Sequence, residues 1–394
     1  MKRIGIYGGT FNPPHMGHLE AAKYAVEALN LDLLLLIPDR TAPHKVLPQG
    51  SPTPEQRLEM LKLAVRDLDR IEVSALALER EGPSYTADTV EQLRQIYPDA
   101  ELVLLMGADM LERFAQWKNA DRILEHADLA CFSRGLRGEE TRIEAAVREL
   151  EAAGARVTRL RNPVIDISST QLRRMLVFQC AGDFLPAGVE EYIRSHGLYE
   201  TDRNLKHLPM AELEDIVVRL LDPKRVAHVL GCRDTAAKLA RRWGVNETDA
   251  ARAGLLHDIT KALDGPLQLT LCGAYGTMLD DFSRRYPKTL HALTGSLVAQ
   301  RIFGENEAVV AAICSHTTGK ADMNTLEKII YIADYMEPCR DFPGVERLRE
   351  LADTDLDAAL RCGLEMTLAH LARQGNEVSP ESREALAWLD KQGK

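Results

Sequence analysis

Gly8-Gly9-Thr10-Phe11-Asn12-Pro13-Pro14-His15-Met16-Gly17-His18 follows a short apolar run, residues 4–7, and precedes helical spacing over about residues 19–29. A strand that turns through glycines into a helix brings bare backbone close to a ligand. The helix start adds N–H groups without intrahelical partners, which suit a phosphate. His15 and His18 are three apart, so one helical turn puts both on one face. The run is not the dinucleotide fingerprint, which requires G-x-G-x-x-G. It points to an enzyme that handles nucleotide phosphates. The bland alternative is a strand–helix turn with incidental histidines, which this density of Gly, Pro and His disfavours.

The run Gly8 to His18 resembles the signature of nucleotidyltransferases with a G-G-T-F-x-P-x-H-x-G-H turn. Further matches point to the bacterial nicotinate-nucleotide adenylyltransferases. The resemblance implies a Rossmann-like α/β domain in which Gly8, Gly9, Thr10 and Phe11 bind substrate and His15 and His18 are catalytic.

The chain has 394 residues, comfortable for two domains. Apolar residues make up 45% and charged residues 27%, ordinary for a globular chain. A formal charge of −10 argues against nonspecific nucleic-acid binding. Seven scattered cysteines without a C-x-x-C pair suggest reduced thiols in a cytosol. Met1-Lys2-Arg3 leads straight into a strand, not into a signal peptide, and residues 31–37 are too short to span a membrane. The expectation is a cytoplasmic protein with neither nucleic-acid nor membrane partners.

Residues 33–37 read as a buried parallel strand, and Thr41-Ala42-Pro43-His44-Lys45 as the loop at its end. A loop lysine alone is more often solvated. The resemblance makes Lys45 a phosphate contact, because P-H-K stands where the family has it. A helix capped by Thr53 and Pro54 runs to about residue 68, and residues 71–75 form a strand. Ser84-Tyr85-Thr86-Ala87-Asp88-Thr89 is a capped helix entry. It also resembles the family's Y-T-x-D-T segment, which implies that Tyr85 and Thr86 line the nicotinate pocket. Strand 102–106 ends at Gly107-Ala108-Asp109, similar to the family's nucleotide-contacting G-x-D. Trp117 alone would be packing; by resemblance it stacks on the pyridine ring. Strands 129–133 and 156–160 flank a polar helix, 139–153. The hydroxyls of Ser168, Ser169 and Thr170 precede a helix, 172–177, which they can cap. With Arg173 they also resemble the family's I-S-S-T-x-x-R triphosphate cradle, with Leu172 where isoleucine is usual. Residues 186–196 form the last helix of this half.

The chemistry implied is attack of a mononucleotide phosphate on the α-phosphorus of ATP, with pyrophosphate leaving. The nucleophile is already an anion, so the work is alignment and charge neutralisation. His15 and His18 donate to the transferring phosphate; Lys45 and Arg173 hold the pyrophosphate. Mg²⁺ travels with ATP, since no compact carboxylate cage is evident.

Residues 200–209 are polar and read as a short linker, giving domains 1–200 and 203–394. Beyond it strands disappear and helices are expected over 210–221, 224–243, 247–257, 290–303, 305–315, 324–336, 353–374 and 382–390. This half is all-α. His228, His257, Asp258, His291, His316 and Asp334 fall within or at the ends of these helices. Imidazoles and carboxylates suit Fe, Mn or Zn, and helices can converge them in a bundle core. Spacing alone is weak, and a lone His228 would more often be a satisfied core residue.

The order H…HD…H…H…D resembles the six-ligand, two-metal HD-domain phosphohydrolases. Leu255-Leu256-His257-Asp258-Ile259-Thr260-Lys261, His316-Thr317-Thr318-Gly319, residues 328–338 and Phe342-Pro343-Gly344-Val345 are similar to segments of the symmetrical bis(5'-nucleosyl)-tetraphosphatases. The resemblance implies that Asp258 bridges two metals, iron or else manganese. His228, His257 and Asp334 complete one site, His291 and His316 the other. Lys261 becomes a phosphate contact, and Arg340 a weaker one. The implied whole is a fusion acting on ATP, nicotinate mononucleotide and dinucleoside polyphosphates. The alternatives are another adenylyl acceptor, a hydrolase of other nucleotides, or a nucleotide-binding sensor. A homo-oligomer is compatible with the sequence.

Overall fold

The computed structural model describes residues 1–42, 46–133, 135 and 138–392. It divides into two compact units, Met1–Arg203 and Asn204–Lys394.

The first unit is built on strands β1 (Arg3–Gly9), β2 (Leu33–Pro38), β3 (Ile71–Val73), β4 (Glu101–Gly107), β5 (Ala127–Phe132) and β6 (Val157–Leu160). They form one 6-stranded sheet in the order β3-β2-β1-β4-β5-β6. Every pairing is parallel, with Ile4 opposite Leu33 on one side and Leu102 on the other. The near-continuous apolar runs of β2 and β4 fit strands covered on both faces. On one face Ile4, Ile6, Leu35, Ile37, Leu102, Leu104 and Leu129 share a buried core. The strand order reverses between β1 and β4, and such a point opens a crevice beyond the strand ends. β1 ends there at Gly9 and β4 at Gly107.

The helix after β1 runs Met16–Ala28. It starts three residues before its apolar spacing does, because His15 takes an extended backbone and acts as the N-cap. Helices Thr86–Ile96 and Ser169–Val177 likewise begin earlier than their apolar positions suggest, each in its polar entry segment.

Arg57 is a fully buried cation that ties this unit together. Its Nη1 donates to the Thr10 carbonyl (2.7 Å) and Asp39 Oδ1 (3.2 Å). Its Nη2 donates to the carbonyls of Asp39 (2.7 Å) and Arg40 (3.2 Å). Thr10 Oγ1 donates to Asp39 Oδ2 at 2.8 Å. One guanidinium thus pins the turn after β1 to the end of β2.

The second unit is helical throughout its described elements. The helices foreseen appear as Met210–Leu220, Val226–Trp243, Glu247–Leu256, Leu290–Arg301, Glu307–Ser315, Thr325–Met336, Leu356–Arg373 and Pro380–Gln392. Gly265–Ala274, Asp281–Arg285 and Val345–Thr354 add to them. Thr325–Met336 is the central helix: Leu326, Ile329, Ile330, Tyr331, Ile332 and Ala333 are all buried. Asn246, Asp264, Asn306 and Asn324 cap helices by accepting backbone N–H bonds. The polar stretch expected as a linker is packed, with Leu205 and Leu208 buried. The His207 N–H donates to the Phe303 carbonyl (2.8 Å), and Arg252 holds the Leu208 carbonyl (2.8 Å) while paired with Glu305. Among the described residues, no helix is long and apolar enough to cross a membrane.

Replacing Arg57 with leucine takes the cation from Asp39 and a donor from three carbonyls. We expect a loss of about 3 kcal/mol in the first unit, as for one partner taken from a buried charged network. Hydrogen exchange should show lost protection in β1 and β2, with helix Thr325–Met336 unchanged. Full protection in β1 would reject this role for Arg57.

Candidate functional sites

At the switch point of the sheet the glycine turn leaves open space: a Cβ on Gly8 would meet nothing within 4 Å. Gly9 instead lies under the Phe11 ring, 3.1 Å from where its Cβ would stand. Phe11 has φ +47° and is buried, and its ring meets His18 edge-on at 5.0 Å. His15 is buried and His18 half-exposed, their ring centroids 3.6 Å apart. The His15 backbone N–H donates to His18 Nδ1 at 3.2 Å. That bond makes Nδ1 the acceptor, so a neutral His18 carries its proton on Nε2. Gly17 gives the His15 ring its room, since a Cβ there would lie 3.0 Å from Nδ1.

The far end of the unit braces this turn. Arg173 donates to the Asn12 carbonyl (2.8 Å) and to Thr170 Oγ1 (3.0 Å). Ser169 Oγ donates to the Pro13 carbonyl at 3.2 Å. Tyr199 OH donates to Asn12 Oδ1 (2.7 Å), and Asn12 Nδ2 to Ser51 Oγ (3.1 Å). Burial holds the Arg173 pKa below its ordinary value. The Ser168 side chain caps its helix by accepting from the Gln171 N–H. Asn12, Arg57 and Tyr199 are contributors that sequence reasoning passed over; Asn12 lay inside the quoted run with no role given.

Tyr85 is the N-cap of helix Thr86–Ile96, and Lys118 Nζ stands 4.1 Å over its ring. Thr86 is the first residue of that helix. Trp117, adjacent to Lys118, is half-buried against the core and 5.4 Å from the Phe114 ring. Gly107 caps the short helix Ala108–Leu111, with Asp109 exposed in its first turn. Lys45 lies outside the described residues.

The second site lies within the helical unit. Its donor atoms form two groups able to hold a metal, His228 with His257 and Asp334, and His257 with Asp258 and His316. Asp258 Oδ2 faces His228 Nε2 (3.6 Å) and His257 Nε2 (3.5 Å). Its Oδ1 faces His291 Nε2 (3.5 Å) and His316 Nε2 (3.8 Å). Asp334 Oδ1 lies 3.2 Å from His228 Nε2 and 3.8 Å from His257 Nε2. All six expected residues are therefore brought together.

The donor set fits divalent ions on two counts. Donors about 2.0–2.2 Å from one ion lie roughly 3.0–3.6 Å from each other, close to the spacings here. Each imidazole also has its Nδ1 engaged away from the centre. The acceptors are Gly254 O for His257 (2.7 Å), Lys288 O for His291 (2.8 Å) and Ile313 O for His316 (2.7 Å). For His228 it is Glu337 Oε1, at 3.0 Å. Such outer partners fix the tautomer and aim Nε2 at a metal.

The electrostatics agree at His291 and His316. Burial, with Lys261 beside it, lowers His291 to about 3, and burial with His257 lowers His316 to about 4. Both rings are held neutral, as a metal donor must be. Burial opposes charge on His228, but Asp258, Asp334 and Glu337 outweigh it and raise it to about 9. Asp258 and Asp334 are held below the usual carboxylate range despite burial, by His257 and His228 with Lys261 or Arg340. Cations close the surround. Arg225 hydrogen-bonds Asp258, Arg340 Nη2 reaches Asp334 Oδ1 (2.6 Å), and Lys261 Nζ sits 2.8 Å from His291 Nε2. Glu337 and Arg225 received no role from sequence, although each lies three residues from a ligand, Asp334 and His228.

A nucleotide-handling α/β unit and a metal-gathering helical unit thus share one chain, and known proteins divide in the same way. The Cytidylyltransferase-like family matches residues 6–175, and the HD domain family residues 225–339. A Thermus thermophilus protein named "Probable nicotinate-nucleotide adenylyltransferase" is 40% identical over 198 residues, 50% of this chain and 99% of that one. A Mycoplasma pneumoniae protein named "Probable nicotinate-nucleotide adenylyltransferase/Ap4A hydrolase" is 29% identical over 338 residues, 85% of this chain and 88% of that one. A Clostridium acetobutylicum structure described as a "predicted HD superfamily hydrolase involved in NAD metabolism" is 38% identical, covering 47% of this chain and 98% of that one with TM-score 0.46. Through its first unit the chain belongs to the nicotinate-nucleotide adenylyltransferase family, and that unit is fused to a C-terminal HD-domain hydrolase.

Glu337 provides a test of the outer partners. Glu337→Ala should weaken Mn²⁺ binding by about 10- to 100-fold, the usual cost of losing such a support. Calorimetric titration of the chelator-stripped protein measures it; unchanged affinity would show that His228 needs no such partner.

Proposed function

We propose that the first unit transfers AMP from ATP to nicotinate mononucleotide, and that the second hydrolyses diadenosine tetraphosphate to two ADP. For transfer, the carrying observation is the glycine turn at the sheet's switch point with His18 Nδ1 accepting from the His15 N–H, which turns Nε2 into the donor. For hydrolysis, it is the set of Nε2 atoms grouped around the two oxygens of Asp258. The names of the Thermus and Mycoplasma relatives support both assignments.

In the transfer, the mononucleotide phosphate oxygen forms a bond to the α-phosphorus and the bond to pyrophosphate breaks. His18 Nε2–H and the helix start at Met16 offer donors to the charge on that phosphorus. Arg173 and Lys45 stabilise the departing pyrophosphate, and Mg²⁺ accompanies ATP. Gly8 leaves the backbone approachable. Ser169 and Thr170 complete the cradle, with Gly107 and Asp109 at the neighbouring strand end for the nucleotide. Tyr85, Thr86 and Trp117 present ring faces and a hydroxyl to the pyridine. Acid rather than amide selectivity fits the Lys118 ammonium over Tyr85.

In the hydrolysis, divalent ions, when bound, supply water activation and neutralise phosphate charge. His228, His257, Asp258 and Asp334 would hold one, and Asp258, His291 and His316 the other, iron or manganese. Water oxygen bonds to a phosphorus beside the central bridging oxygen, and that P–O bond breaks. Arg225, Lys261 and Arg340 carry the positive charge that the tetraphosphate needs.

His18→Ala should lower kcat about 100-fold or more while changing the KM for ATP much less, as for a donor aimed at the transition state. Trp117→Ala should instead raise the KM for nicotinate mononucleotide about tenfold through lost stacking. Steady-state kinetics in both substrates separates the two, and a normal kcat for the His18 variant would remove it from the chemistry.

Asp258→Ala should abolish hydrolysis and leave adenylyl transfer intact. Chelation should likewise abolish hydrolysis in the unaltered protein, with recovery on adding Fe²⁺ or Mn²⁺. Chromatography of early products should show ADP alone. An AMP and ATP pair would reject symmetric cleavage, and full activity after chelation would reject the metal-dependent mechanism.

A further inference from the structure

Thr260, Gln268 and Thr294 are buried polar side chains that neither reaction uses, and they sit on three different elements. Thr260 is in the turn that carries Asp258, Gln268 in helix Gly265–Ala274, and Thr294 in helix Leu290–Arg301, which carries His291.

Their hydrogen bonds have one consistent assignment. The Gln268 amide faces the carbonyls of Thr260 (2.7 Å) and Leu263 (3.3 Å), which only accept, so Nε2 stands there. Oε1 then faces the Thr294 hydroxyl, which must donate to it. With its one proton given, the Thr294 oxygen accepts from Thr260 Oγ1 at 2.8 Å. Both hydroxyls also lie near helix carbonyls, Leu290 (2.9 Å) for Thr294 and His291 (3.1 Å) for Thr260, but each has a single proton to give. The donors form a closed circuit: Thr260 to Thr294, Thr294 to Gln268, and Gln268 back to the Thr260 carbonyl.

Such a circuit fixes geometry more than it adds stability. Apolar side chains of matched shape can fill the same space at little cost, whereas hydrogen bonds that polarise one another hold one arrangement. The arrangement held here is the seat of helix Leu290–Arg301 on the turn after helix Glu247–Leu256. Gly295 lets the two approach closely, since a Cβ there would lie 3.2 Å from the His257 carbonyl and 3.7 Å from Thr260 Oγ1. The turn carries Asp258 and the helix carries His291, whose Oδ1 and Nε2 atoms stand 3.5 Å apart.

We propose that Thr260, Gln268 and Thr294 are positioning residues that set the spacing of Asp258 and His291, and with it the affinity of the metal position those two share with His316. The inference rests on the two-metal reading above. The bonds of the circuit run to one another and to backbone carbonyls, so these residues act through the chain segments that carry the donors.

The test is calorimetric titration of Mn²⁺ into the full-length, chelator-stripped protein. Thr294→Val and Gln268→Met keep the shape and break the circuit. Each should weaken one Mn²⁺ step about tenfold, the scale for lost outer support of a ligand, and leave the other step unchanged. Thr294→Ser keeps the hydroxyl and should keep the affinity. The double variant should lose less than the product of the two single effects, as for members of one network. Without metal, hydrogen exchange in both single variants should rise over residues 257–263 and stay unchanged in helix Val226–Trp243. Unchanged Mn²⁺ affinity in both single variants would overturn the proposal. So would equal losses in Thr294→Ser and Thr294→Val, which would make shape and not the hydroxyl the cause. Failure of the two-metal reading looks different: Asp258→Ala would bind Mn²⁺ as well as the unaltered protein, while the exchange pattern would still report the circuit.

Discussion

Four short hydrogen bonds, one from each of His228, His257, His291 and His316, direct the organisation of the helical unit. Each takes the Nδ1 proton to a fixed acceptor, three of them carbonyls within the histidine's own turn of chain. A ring held in this way has one tautomer and one direction for Nε2. The helices supply the rest of the arrangement. His257 and His316 stand at helix C-termini, where carbonyls without intrahelical partners are available. The buried apolar face of Thr325–Met336 then seats Asp334 beside them. Packing and ligand geometry are consequently one problem here: a helix that slips moves both a core face and a donor atom.

The α/β unit solves a different problem with backbone. Its parallel strands must be buried on both faces, so chemistry can occur only where they end. The reversal between β1 and β4 provides that place, and Gly8 leaves it open. Arg57 and Asn12 then convert a glycine turn, which is entropically costly to order, into a fixed one.

Much of this was legible in the sequence for identifiable reasons. The central parallel strands β1, β2, β4 and β5 are dense apolar runs, so they showed themselves. The histidines of the first site stand in one local turn, whereas those of the second are spread over residues 228–316 and were legible only through the order H…HD…H…H…D and its resemblance to a known family. What escaped had no local pattern. Arg57 reads as one more charge in a polar helix, and only the tertiary fold places it under the turn. Glu337 and Arg225 act through neighbours three residues away but are ordinary charges by composition. Helix Gly265–Ala274 opens with alternating Leu-Gln-Leu-Thr-Leu, whose period of two conceals a helix. The polar composition of residues 200–209 suggested a short linker, and the isolated Leu205 and Leu208 there both find a core.

The brace across Asn12 also bears on how the protein is made. Its partners are Arg173 and Tyr199, 161 and 187 residues further along the chain. Synthesis runs from the N-terminus, so the turn is completed long before the groups that hold it. Early strands can pair on the ribosome, but the glycine turn cannot acquire its final bracing until the last helices of the first unit emerge. By then the ribosome is already making the second unit. The order of synthesis thus separates the birth of the fold from the birth of its active turn, a delay written into sequence separation alone.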